Sequence, residues 1–95
     1  MAKSILQDER VCYITGNTDH LHKHHIFYGH GLRQISEDNG FWVYLSWWLH
    51  NGSNEGVHGK NGHDLDLMLK ETAQRIFEKT HSREEFMKLI GRNYL

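Results

Sequence analysis

Four of the nine histidines in this 95-residue chain fall in the stretch His20-Leu21-His22-Lys23-His24-His25, with Ile26-Phe27 directly after it. No other feature constrains the fold as strongly. An imidazole has two ring nitrogens, and each needs a partner when the ring is buried. A segment so rich in imidazoles cannot be closed into a purely apolar core. It has to meet polar groups from elsewhere in the chain, or gather around a metal ion. Binding a metal or moving a proton near neutral pH is also what histidine does best.

The rest of the chain sets bounds. Its length suits one domain with a thin core. A single cysteine, Cys12, excludes an intramolecular disulfide and fits a reducing compartment. No run is long enough for a membrane span, and the opening residues lack the apolar stretch of a signal peptide. A cytoplasmic protein with no membrane partner is the expectation. Eleven basic and twelve acidic side chains give a formal net charge of -1. Proteins that hold DNA by counterion release alone are strongly basic. Any contact with nucleic acid here has to be local.

Residues 1–10 read as a polar leader. Val11 to Thr15 is rich in β-formers and reads as a short strand. Gly16 to Asp19 is a turn, and Leu21 to Tyr28 reads as the second strand of a hairpin. Gly29-His30-Gly31 breaks that strand, and a loop carries Leu32, Arg33 and Gln34. Ser36 to Gly40 reads as one helical turn closed by glycine. Phe41 to Leu45, nearly all aromatic or β-branched, is the strongest strand signal. Ser46 to Asn51 is too aromatic for a solvated loop and reads as a helical turn packed on the strands. A glycine-rich segment, 52–62, follows.

Leu65, Met68, Leu69, Thr72, Ala73, Ile76 and Phe77 recur with helical spacing and define an amphipathic helix, with Asn61 or Asp64 as its cap. Ser82-Arg83-Glu84-Glu85 is a capping box. Phe86, Met87, Leu89 and Ile90 are expected to face inward before Gly91 ends the last helix. The fold class is α+β, a small antiparallel sheet with helices on one side.

Two ligand-type residues at His24-His25, a glycine-containing loop, a strand, then His50-Asn51 and Val57-His58 resemble the HNH, or ββα-metal, nucleases. Over about residues 11–95 the chain looks like the short HNH-like proteins of bacteriophages and prophages. The resemblance implies a ββα-metal core over 11–60, with two C-terminal helices over 61–95. It implies that His24, His50 and His58 bind one divalent cation (magnesium, manganese, zinc or nickel). It makes His25 the general base that activates water, Arg33 and Lys23 the nucleic-acid contacts, and Asn51 and Tyr44 supporting residues. The implied activity is hydrolysis of phosphodiester bonds in double-stranded or branched DNA, inside a bacterial host cell. A homodimer or a phage or host recombination partner would fit.

Three departures stand out. The zinc knuckle of many family members would have its cysteines near Cys12/Thr15 and Ser46/Leu49, and only Cys12 is one; Trp42, Trp47 and Trp48, with the C-terminal helices, are expected to pack in its place. The asparagine that orients the base in many members has no match, and Tyr44, Asn51, Asn54 or a backbone carbonyl are the candidates to replace it. Adjacent strand residues point to opposite faces, so His24 and His25 share a site only if the strand twists or ends there. His20, His22, His30, His63 and His81 read as surface, loop or helix-start residues. Two other functions fit the same residues: a metal-stabilised module that binds nucleic acid or protein without turnover, and a histidine-rich site with no physiological metal.

Overall fold

Aromatic and β-branched side chains suit a pleated, half-buried surface, and the segment richest in them forms the centre of the fold. The computed structural model describes residues 2–52 and 62–95, the side chains of 51 and 52 excepted. Its elements are β1 (Leu21–His25), α1 (Leu32–Asn39), β2 (Trp42–Ser46), one π-helical turn (Trp48–Gly52), α2 (His63–Phe77) and α3 (Arg83–Ile90). The fold is α+β. Its two strands form one antiparallel sheet, pairing Leu21 with Ser46, His22 with Leu45, Lys23 with Tyr44, His24 with Val43 and His25 with Trp42. Among the described residues no helix is long and apolar enough to cross a membrane.

Residues opposite one another in an antiparallel pair share a face. His22, His24, Val43 and Leu45 therefore lie on one side, and Lys23, His25, Trp42 and Tyr44 on the other. Val43 and Leu45 are fully buried and join Ile26, Phe27 and Phe41 at the strand ends, Leu69, Ala73 and Phe77 of α2, and Phe86 and Ile90 of α3. Phe27, Phe41, Phe77 and Phe86 stack edge to face, with ring centroids 5.3 to 6.0 Å apart. Each phenylalanine buried this way contributes roughly 1.5–3 kcal/mol, a large share of the stability of so small a domain.

The C-terminal helices follow the sequence signals with three corrections. Ser82 and Glu85 form the expected capping box, and Gly91 closes α3 at φ 83°. Met68 and Met87, expected inward, are exposed; Phe86 and Ile90, one turn apart and also expected inward, face the core. Gly62 occupies the N-cap of α2 without a side-chain cap, while Asp64 sits in the first turn, where its charge complements the helix dipole. Asn61 lies outside the described residues.

Two further expectations fail for local reasons. Val11 to Thr15 is not a strand. The Cys12 amide donates to the Asn17 carbonyl at 2.8 Å and the Gly16 amide to the Cys12 carbonyl at 2.8 Å, so the segment curls into a turn. These short-range bonds compete with a ladder, and Tyr13 N–H to the Tyr44 carbonyl, 2.8 Å, joins the turn to β2. The outer edge of β2 is satisfied instead by the N-terminal residues: Ser4 Oγ donates to the Trp42 carbonyl at 2.5 Å, and the Tyr44 amide donates to Gln7 Oε1 at 2.7 Å. The single turn expected at Ser36 is the end of a longer helix, α1, that starts at Leu32. Gly40 ends it at φ 75°, where a β-carbon would collide with the Lys3 carbonyl oxygen.

Candidate active site

The inner side of β1 presents His22 and His24 to the π-helical turn that follows β2, and that turn carries His50. His24 is buried, and its ring centroid lies 5.2 Å from that of His50 at an interplanar angle of 66°. Two imidazoles bound to one tetrahedral cation, with metal–nitrogen distances of about 2.0–2.1 Å, have centroids about 5 Å apart. The His24–His50 spacing is compatible with a shared divalent ion and equally with an edge-on contact between the rings. Among the described residues no set of three or more His, Cys, Asp and Glu is arranged to hold a metal. The third ligand implied by the resemblance, His58, lies outside the described residues, as do Asn54 and the side chain of Asn51.

His22, read from sequence as a surface histidine, belongs to this cluster. Its Nδ1 lies 3.2 Å from Nδ1 of His50, with ring centroids 5.4 Å apart. The signal for it was the spacing: His22 and His24 are two apart, and strand side chains repeat every second residue.

On the other face, His25 Nε2 lies 2.7 Å from Glu37 Oε1. Lys23 Nζ donates to both oxygens of the same carboxylate, at 3.1 and 3.0 Å, and rests 4.1 Å above the Trp42 ring. Hydrogen bonds from His25 and then Lys23 hold the Glu37 carboxyl below its ordinary pKa. Helix α1 puts Glu37 there. The neighbouring Ser36 is fully buried; its hydroxyl donates to the Phe27 carbonyl at 2.7 Å and accepts from the Phe27 amide at 3.1 Å. That double latch fixes α1 to the end of the histidine segment. Nothing in the sequence around Glu37 signals this contact, which joins two elements with no common motif.

These placements alter two expected roles. Tyr44 packs on Trp42 and beneath Arg10, and the residue bonded to His25 is Glu37. Lys23, a candidate phosphate contact, is committed to Glu37.

A cavity of about 220 Å³ joins both faces, lined by Lys23, His24, His25, Tyr28, Arg33 and His50. Strand β1 ends at His25, so its last two residues border one space despite pointing to opposite sides. Arg33 is exposed on the rim, in the first turn of α1 rather than in a loop. Tyr28 donates to Asp66 Oδ1 at 3.1 Å, and Asp66 Oδ2 accepts from Lys70 Nζ at 2.8 Å. Burial, and then the Asp66 charge, raise the Tyr28 pKa, so the phenol stays neutral and ties the cavity wall to α2. Outside the cluster, His20, His30 and His63 are exposed, and His81 stacks on Phe77 with centroids 4.2 Å apart.

Three of the four positions where the HNH resemblance would put zinc-knuckle cysteines, Cys12, Thr15 and Ser46, also meet. The Thr15 amide lies 3.5 Å from Cys12 Sγ, and Thr15 Oγ1 lies 3.5 Å from Ser46 Oγ. Cys12 and Leu49 are buried in the same core. Burial pushes the Cys12 thiol up, but hydrogen bonds involving Ser46 and Thr15 outweigh it and bring the pKa to about 7. The expected tryptophan packing is not what fills this corner: Trp47 and Trp48 are 50% and 44% exposed. No family model, curated protein or solved structure matches the chain.

Proposed function

We propose that this protein is a metal-dependent endonuclease of the HNH, ββα-metal kind, hydrolysing phosphodiester bonds in DNA. The observation that carries the reading is the convergence of His24 and His50 beside a cavity whose rim holds His25. Supporting it, Cys12, Thr15 and Ser46 meet at one corner of the sheet, as three of the four knuckle positions of that family would.

In this reading His24 and His50 hold one divalent cation, with His58 as the third ligand. When bound, the cation supplies Lewis-acid stabilisation of charge on the scissile phosphate. The chain's own residues do the rest. His25 takes a proton from water, whose oxygen bonds to phosphorus as the bond to the leaving oxygen breaks. A positioned general base of this kind contributes roughly 10²–10⁴-fold. Arg33 on the cavity rim holds a phosphate oxygen.

A supercoiled-plasmid nicking assay across magnesium, manganese, zinc and nickel tests the proposal. Wild-type protein nicks with at least one metal, and His25→Ala does not. Equal activity in the variant removes His25 from the mechanism. A second reading, a module that binds without cutting, draws on the formal net charge of -1 and on the pairing of Lys23 with Glu37. Metal binding with no nicking under any condition selects it.

A further inference from the structure

We propose that Glu37 is the positioning residue of His25, holding the proton on Nε2 and thereby making Nδ1 the atom that takes the proton from water. This deepens the nuclease reading and, for its catalytic half, rests on it.

The geometry carries the argument. An ionised carboxylate only accepts hydrogen bonds, and an ammonium only donates them. Lys23 Nζ reaches both oxygens of Glu37, the arrangement of an ionised carboxylate. Nε2 of His25, 2.7 Å from Oε1, therefore carries a hydrogen and donates it. In a neutral imidazole the other nitrogen then holds the free lone pair. A base oriented by a third group is the recurring design of activated imidazoles.

Lys23 has a part in this. Its ammonium bonds both carboxylate oxygens, which balances the Glu37 charge and fixes the carboxylate against the imidazole. Once His25 takes the proton, the imidazolium faces a carboxylate at hydrogen-bond distance. It then releases the proton to the leaving oxygen or to solvent.

Glu37 comes from α1, the segment between the strands where sequence showed only a loop and a short turn. The Ser36 latch and the left-handed Gly31 and Gly40 at its ends set its position. The fold thus uses an inserted helix to orient the base where the resemblance calls for an asparagine.

The test begins with metal-free, full-length protein carrying ¹⁵N-labelled histidine. At about pH 8, well above the ordinary imidazole pKa of about 6.5, long-range ¹H–¹⁵N spectra report which nitrogen of His25 bears the proton. Wild type shows the Nε2–H form, Glu37→Ala a mixture of both forms, and Glu37→Gln, an uncharged acceptor of the same shape, restores Nε2–H. In nicking assays Glu37→Ala lowers kcat on the order of 10–100-fold, the usual effect of losing a group that orients a site histidine, with KM little changed. Glu37→Gln recovers most of that loss. A wild-type His25 protonated on Nδ1, or a Glu37→Ala variant with unchanged spectrum and kcat, overturns the proposal. A wild type that shows the expected tautomer but never nicks sinks the nuclease reading while sustaining the Glu37–His25 pairing.

Discussion

The rings of His24 and His50 meet edge-on with centroids 5.2 Å apart, although one lies near the end of a strand and the other in the turn beyond the next strand. The antiparallel register accounts for this. His24 opposes Val43, and the chain leaves β2 at Ser46 to fold back across the same face as a helical turn. Each imidazole comes from a different element, so any group that bridges them also ties those elements together.

If His24 and His50 hold the cation and His25 is the base, as proposed, metal binding and chemistry are separable by mutation. His24→Ala and His50→Ala each weaken divalent-metal affinity by about tenfold or more, as loss of one ligand from a small open site implies. His25→Ala leaves affinity nearly unchanged. Titration calorimetry with zinc or nickel reads the difference, and a His50→Ala protein with wild-type affinity removes His50 from the ligand set.

Ser36 links the core to the site. Ser36→Ala leaves the buried Phe27 amide and carbonyl without the hydroxyl that serves both. An unsatisfied buried polar group costs about 1–3 kcal/mol, a loss that urea denaturation resolves. Because Ser36 sets α1, the same variant also loosens the His25–Glu37 contact and lowers nicking activity beyond what the stability loss explains.

Acid stability depends on Glu37. Its carboxyl is depressed in the folded protein by His25 and Lys23, so its contribution is fully present above the unfolded-state value of about 4.3. The contribution fades as pH falls through the lower folded value. Thermal melts from pH 7 downward therefore show a steeper acid decline in wild type than in Glu37→Gln. Parallel curves would mean that the carboxylate gains nothing from its two partners.

The corner at Cys12 can be converted into a metal site. In a tetrahedral zinc–thiolate centre with bonds of about 2.3 Å, sulfurs stand about 3.8 Å apart, close to the 3.5 Å between Thr15 Oγ1 and Ser46 Oγ. With Thr15→Cys, Ser46→Cys and Leu49→Cys combined, the protein binds zinc and cobalt, shows thiolate-to-cobalt absorption, and melts higher until a chelator is added. Failure to bind cobalt would separate this corner from a knuckle.

What the sequence determined by itself is local. The stripe from Leu65 to Phe77, the Ser82–Glu85 box and the stops at Gly40 and Gly91 depend on neighbours within a few residues, and all appear in the fold. Met68 and Met87 mark the limit of that reasoning, because a helical stripe has edges and only packing decides where exposure begins. The β-formers of Val11 to Thr15 met a competing set of turn hydrogen bonds at Cys12 and Asn17. Tertiary structure alone decided that His22 joins His50, that Glu37 reaches His25 and that the Trp47 and Trp48 rings are exposed. Those outcomes follow from strand register and from the seating of α1 through Ser36, and neither leaves a periodic trace in the order of residues.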